Sequence, residues 1–283
     1  MNGNHLFKLS LSSAWCSVIE SGMAKARNPL SITFSVWQAI FLREALDRLF
    51  DMRAAWLWLL LEPVFHIGFF AVAYTAMHMH AVGGMDIAIW IIVGLLGFFL
   101  FRRTGIQVMH APESNRPLFA YRQVKPFDTA IVRGVLEAFL MLIISVVILS
   151  IAALLGRAVL PDDFLLVISA AFGLWLCGLG YGLVASVLIE LVPELKHILN
   201  ILMFPLYILS GPIWPISTMP EPYRGLLMLN PLAHGLEAAR MGFVDYYHAA
   251  PGVSLGYLYT FSIASIFLGL LLYRRFALRL VMQ

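Results

Sequence analysis

Asn230-Pro231-Leu232-Ala233-His234-Gly235-Leu236-Glu237-Ala238-Ala239-Arg240 is a polar, helix-forming insert between two hydrophobic stretches of a very apolar chain. Just before it lies Ser210-Gly211-Pro212-Ile213-Trp214-Pro215, where glycine and two prolines interrupt an apolar run. Backbone broken at membrane depth is tolerated only where protein or a water-filled cavity satisfies its polar groups. The insert therefore reads as an element that dips back into a membrane, and the rest of the chain should supply the spans around it.

Composition agrees. The chain has 283 residues, 61% hydrophobic and 12% charged, with a mean hydropathy of +0.85. A soluble protein of this length could not keep that composition off its surface. Cys16 and Cys177 are far apart and read as unpaired, so neither a disulfide framework nor a zinc site is expected. The first 28 residues are mixed polar and basic, without the apolar core of a cleavable signal peptide.

A helix needs roughly 20 apolar residues to cross the hydrocarbon core. Segments 54–77, 87–108, 135–155, 164–189, 195–214 and 255–273 qualify or nearly do, the fifth being interrupted by Pro205, Gly211 and Pro212. Arg102 and Arg103 fall near the end of the second, where long cations can reach the headgroups. Sixteen of the 19 lysines and arginines then share one side, leaving Arg157, Arg224 and Arg240 on the other. Positive charge marks the cytoplasmic face, so both termini are expected there.

Three segments are not spans. In 34–53, the polar residues Arg43, Glu44, Asp47, Arg48 and Asp51 recur at helix spacing, with Leu42, Ala45, Leu46, Leu49 and Phe50 opposite. This predicts an amphipathic helix along the cytoplasmic interface. Segment 110–128 is basic and aromatic, and Asn115-Arg116-Pro117-Leu118-Phe119-Ala120-Tyr121-Arg122 within it suits a short helix. Segment 215–253 holds two more short helices, 220–229 and 231–243, too apolar for a solvated loop. The expected fold class is an all-α polytopic membrane protein. It has six transmembrane helices, an N-terminal amphipathic interface helix, and a re-entrant helix pair between helices 5 and 6. Residues 1–53 form the N-terminal segment and 54–283 the six-helix domain.

Several chemistries are absent. No Gly-x-x-x-x-Gly-Lys-Ser/Thr loop, Gly-x-Ser-x-Gly elbow or His-Glu-x-x-His motif occurs. Nothing points to nucleic acid. Met77-His78-Met79-His80 has soft-metal character but no distant partner, and reads as a membrane-edge turn. Charges inside spans are expensive and draw attention. Glu62 and His66 lie one turn apart, within hydrogen-bonding reach of each other; Glu137 lies one turn from Arg133; Glu190 and Glu194 flank Pro193 near Lys196 and His197. They cluster in the cytoplasmic half and make no continuous proton path.

The order of an amphipathic helix, six spans, a basic loop after the second and a re-entrant pair before the sixth resembles the membrane subunit of type-2 ABC exporters. The likeness sharpens at Arg43-Glu44 with Arg48 and Leu61-Glu62-Pro63, and at Asn115-Arg116-Pro117-Leu118 through Val124-Lys125-Pro126-Phe127-Asp128. It sharpens again at Ser210-Gly211-Pro212-Ile213-Trp214 through Asn230-Pro231-Leu232 and Glu237-Ala238-Ala239-Arg240. It looks most like Gram-negative capsular polysaccharide permeases; O-antigen and teichoic acid exporters are close relatives. A small-molecule or drug exporter and a membrane glycosyltransferase stand as alternatives.

The resemblance implies a half-transporter that works as two copies with two separate ATP-binding cassette subunits. This chain would bind no cofactor or metal itself; ATP and Mg would belong to the ATPase. A periplasmic co-polymerase and an outer-membrane channel would continue the route of a lipid-linked polysaccharide. Arg43, Glu44, Arg48, Asn115, Arg116, Leu118, Phe119, Tyr121 and Arg122 would face the ATPase. Arg53, Trp56, Trp58, Glu62, His66, Arg102, Arg103, Tyr207 and Trp214 are the candidates for the substrate path. Asn230, Pro231, His234, Glu237 and Arg240 mark the re-entrant region.

Overall fold

The computed structural model describes residues 29–50, 55–121 and 123–282. Arg53 and Arg122 lie outside the described residues, as does the side chain of Trp56. Helices α1 (Pro29–Phe50), α2 (Ala55–Ala76), α3 (Ile87–Met109), α4 (Ala111–Ser114), α5 (Pro126–Leu154) and α6 (Phe164–Leu191) form the first part of the chain. They are followed by α7 (Leu195–Leu209), α8 (Tyr223–Leu227), α9 (Pro231–Phe243), α10 (Leu255–Arg275) and α11 (Ala277–Met282). Between α2 and α3 a small hairpin pairs β1 (Ala81–Val82) antiparallel with β2 (Met85–Asp86).

Polar caps explain where the helices begin. Asp86 accepts from the amides of Ala88 and Ile89 at the start of α3, and Asp163 accepts from Leu166 N at the start of α6. Such side chains satisfy amides that no helical carbonyl can reach. The third predicted span began at 135, yet α5 begins at Pro126. Proline suits the first helical position, and the Asp128 carboxylate accepts from Lys125 N at 2.9 Å. The helix therefore extends through the polar residues that precede its apolar run.

Among the described residues, five helices are long and apolar enough to cross a membrane: α2 from Leu57, α3, α5, α6 and α10. The chain is thus an all-α, polytopic membrane protein. In α3, 72% of the most apolar window is buried, against 17% in α2 and in α10. The central column is α3, and α2 and α10 lie at the margin with broad apolar faces turned outward. The predicted fifth span, 195–214, is realised as α7, only 15 residues long. At 1.5 Å per residue that is about 22 Å, against a hydrocarbon core of about 30 Å. It stops because Gly211 takes a φ of +76°, a left-handed conformation that ends the helix although the apolar run continues.

Helix α1 is amphipathic in a particular sense. Ile40 and Glu44 are buried against the bundle, while Phe34, Leu42 and Leu46 are exposed. Arg43, Glu44 and Arg48 reach inward to partners, whereas Asp47 is exposed next to the outward Leu42 and Leu46.

Candidate functional site

The polar residues gather in three places. The first is the basic end of the bundle, around segment 110–121. There Asn115 is fully buried and donates to Glu44 Oε1 at 2.8 Å and to the Ala111 carbonyl at 3.0 Å. Arg133 donates to the same Glu44 oxygen at 3.0 Å, and Arg43 reaches both Glu44 and Asn115. Burial alone would raise the Glu44 carboxyl; Arg133, Asn115 and Arg43 together outweigh it and hold the group below its ordinary value. A depressed carboxyl stabilises the fold above the unfolded value and loses that contribution as pH falls through the folded one. The tie between α1 and segment 110–121 is therefore intact at neutral pH and loosens only in acid.

A second carboxylate, Glu137, has no exposed surface. It receives Arg48 of α1 at 2.5 Å and Arg103 of α3 at 3.2 Å. Arg48 also donates to Gln107. Beyond these, Arg116 Nη2 donates to both oxygens of Glu190, at 3.0 and 3.2 Å. Lys196 reaches both oxygens of Glu113, at 2.8 and 3.1 Å, and holds the Glu113 carboxyl below its ordinary range. The expected helix at 115–122 is a 3-10 helix, Arg116–Ala120. Its Phe119 is buried, Leu118 half-buried, and Tyr121 exposed.

The second place is a cleft of about 390 Å³ between α2, α3 and α7, lined by His66, Arg102, Ile106, Asn200, Met203, Phe204 and Tyr207. Arg102 donates to Glu62 at 2.7 Å, and His66 shares a hydrogen bond with Tyr207 at 2.8 Å. Glu62 and His66, one turn apart, thus each take a longer-range partner and not one another. Each ties α2, the loosely packed span, to a neighbour. Cation, imidazole, phenol and amide share the cleft with Met203 and Phe204, so it can hold a group with a polar head and an apolar body.

The third place is the far end, where α9 is almost wholly buried among α3, α6 and α10. Asn230 caps it by accepting from Leu232 N at 3.1 Å, and its amide donates to Ser210 Oγ at 2.9 Å. His234 accepts from Ser254 N through Nδ1 and so donates through Nε2 to the Met228 carbonyl at 2.7 Å. Glu237 and Arg240, both fully buried, pair at 2.8 Å. Arg240 further donates to the carbonyls of Gly211 and Pro212 at 3.0 and 3.1 Å and lies 3.8 Å from the Trp90 ring centroid. Glu237 accepts from Tyr247 OH and from Ala250 N. The broken backbone at 211–212 is thus satisfied by protein, as membrane depth demands. By helical rise, the Arg240 contact at Gly94 lies about 10 Å in from the start of α3.

Gly94 makes room for this. A Cβ there would fall against Arg240 Nη2 and 2.7 Å from the Pro212 carbonyl oxygen. Gly94→Ala should cost about 1–3 kcal/mol through overpacking, read as a lowered thermal midpoint in detergent. An unchanged midpoint would show that Arg240 can move aside freely.

The family profile for ABC-2 type transporters matches residues 35–244. The chain belongs to this family. Among relatives of this ABC-2 transporter, the polysialic acid transport protein KpsM of Escherichia coli is 31% identical over 249 residues, 88% of this chain and 96% of its own. The capsule polysaccharide export inner-membrane protein BexB of Haemophilus influenzae is 22% identical over 256 residues, covering 89% and 94%. CtrC of Neisseria meningitidis, which carries the same description, is 25% identical over 206 residues, covering 72% and 77%.

Within this ABC-2 transporter the sequence-derived candidates divide. Glu62, His66, Arg102 and Tyr207 do come together at the cleft, whereas Arg103 turns to Glu137. Trp58 and Trp214 are exposed, on α2 and beside the Ser210–Pro212 break. Of the residues grouped for ATPase docking, Glu44 and Asn115 have no free surface, while Arg116 and Tyr121 do. Asn200, Gln107, Trp90 and Tyr247 complete the sites, and no sequence pattern marks them. Their signal was weak: a polar tip inside an apolar run, visible only once its partner is known.

Proposed function

We propose that this chain is the transmembrane subunit of an ATP-driven exporter that moves lipid-linked capsular polysaccharide across a bacterial inner membrane. The observation that carries this reading is similarity along most of the chain to transport proteins named for polysialic acid and capsule polysaccharide. In this reading α7 and the turn after it complete a sixth span, and α1 lies along the cytoplasmic interface. The helices α8 and α9 form the re-entrant pair, and both termini are cytoplasmic. ATP is hydrolysed by two separate cassette subunits that dock on segment 110–128. Two copies of this chain form the path, with the outward apolar face of α2, including Trp58, Phe65 and Phe69, against the second copy or lipid. A periplasmic co-polymerase and an outer-membrane channel meet the far end.

Deleting the gene in its host tests the cargo. Full-length polymer should collect in the cytoplasm, seen by electron microscopy and cell fractionation. A normal capsule in the deletion strain would remove the polysaccharide reading, and polymer absent everywhere would point to a synthase.

A further inference from the structure

Helix α7 is loosely held along its length, and both its ends meet charged side chains. Only Met203 of its 15 residues is buried. At the far end it runs into Gly211 and Pro212, whose carbonyls Arg240 holds. At the basic end, Glu190 in the last turn of α6 binds Arg116, and Lys196 in the first turn of α7 binds Glu113. The two ion pairs therefore straddle the α6–α7 turn and join it to the same short segment at two points, Glu113 and Arg116, three residues apart. Between the ends, Tyr207 meets His66 and the Leu199 carbonyl accepts from Tyr181 OH.

From this we infer that Glu113–Lys196 and Arg116–Glu190 form a clamp that makes segment 110–120 and the start of α7 one moving body. A displacement of that segment is then delivered to α7, which tilts about its Arg240-held far end and reshapes the cleft lined by His66, Arg102 and Tyr207. The four residues are positioning residues, since none of them needs to touch cargo or nucleotide. Two pairs sharing one segment oppose rotation as well as separation, which a single exposed pair would not. This inference rests on the proposed function for the source of the displacement.

The test uses the full chain assembled with its ATPase subunits in proteoliposomes, with lipid-linked polymer purified from the deletion strain as probe. Hydrolysis and polymer moved per ATP are both measured. Glu113→Lys and Lys196→Glu should each hydrolyse ATP but move about fivefold less polymer per ATP, the scale set by reversing one partly exposed pair. The double variant Glu113→Lys/Lys196→Glu should recover most of the loss, and Glu190→Lys, which leaves Arg116 itself in place, should show the same loss as the other singles. Single variants with normal export, or a swap as defective as the singles, overturn the clamp.

A second arm does not depend on cargo. In a Cys16→Ser background, where the remaining Cys177 is buried, Glu113→Cys and Lys196→Cys are joined by a short bismaleimide. Hydrolysis at the uncrosslinked rate is expected, because the two positions move together. Stalled hydrolysis overturns the clamp even if the single variants fail to accumulate. Wild-type vesicles that hydrolyse ATP without moving polymer would refute the polysaccharide reading instead, and the cross-link would still decide the clamp.

Discussion

Replacing Arg240 with methionine is expected to destabilise the transporter by about 3–5 kcal/mol, the cost of leaving half of a buried ion pair. The substitution strands Glu237 and the carbonyls of Gly211 and Pro212 in a site with no exposed surface, and removes the cation from the Trp90 ring. A lower unfolding midpoint in detergent, with the 210–216 turn newly open to protease, is the expected reading. Glu237→Gln should be milder, because Tyr247 and Ala250 still find an acceptor. The charge-swapped variant Glu237→Arg/Arg240→Glu should not recover. A carboxylate at 240 cannot donate to two carbonyls, so full rescue by the swap would mean that the pair alone matters and the turn does not.

Replacing Glu137 with alanine should have an effect of the same size for a different reason. Its carboxylate lies between Arg48 and Arg103, and its loss leaves two largely buried guanidinium groups facing each other with no counter-charge between them. The expected loss is again about 3–5 kcal/mol. It should appear as release of α1 from the bundle, measured by protease cleavage around residue 48. A stable Glu137→Ala protein with α1 protected would show that Asn115 and Arg133, through Glu44, suffice to hold the helix. Gln107 cannot compensate, since one amide oxygen does not balance two positive charges.

Much of this architecture is legible in the residues. The start of α9 is set by Asn230 and Pro231, a cap and a first-turn proline, both readable without a structure. The strongly apolar spans announce themselves by length. Two things are harder. Gly211 ends α7 by its backbone conformation, while hydropathy runs on to Trp214, so span length misjudges the helix. Partner choice in the ionic sites is also hidden. Spacing along one helix pairs Glu137 with Arg133 and Glu62 with His66. The actual partners of Glu137 stand 89 and 34 residues away, and that of Glu62 stands 40 away. Helical periodicity sees neighbours on the same helix, whereas buried charge seeks the nearest opposite charge in space.

The inward-facing charges of α1 have a consequence for biogenesis. Asn115 follows Glu44 by 71 residues, and Glu137 follows Arg48 by 89. When the ribosome has released α1, Glu44 has only Arg43 of the same helix beside it, and none of the partners from α3 to α5 has yet been synthesised. Its charged stripe must stay hydrated at the membrane surface until α3 and the start of α5 are inserted, and only then can the helix turn Arg43, Glu44 and Arg48 inward. Docking of α1 is therefore a late step in maturation, and a chain stopped before residue 137 would present that unburied stripe to quality-control proteases.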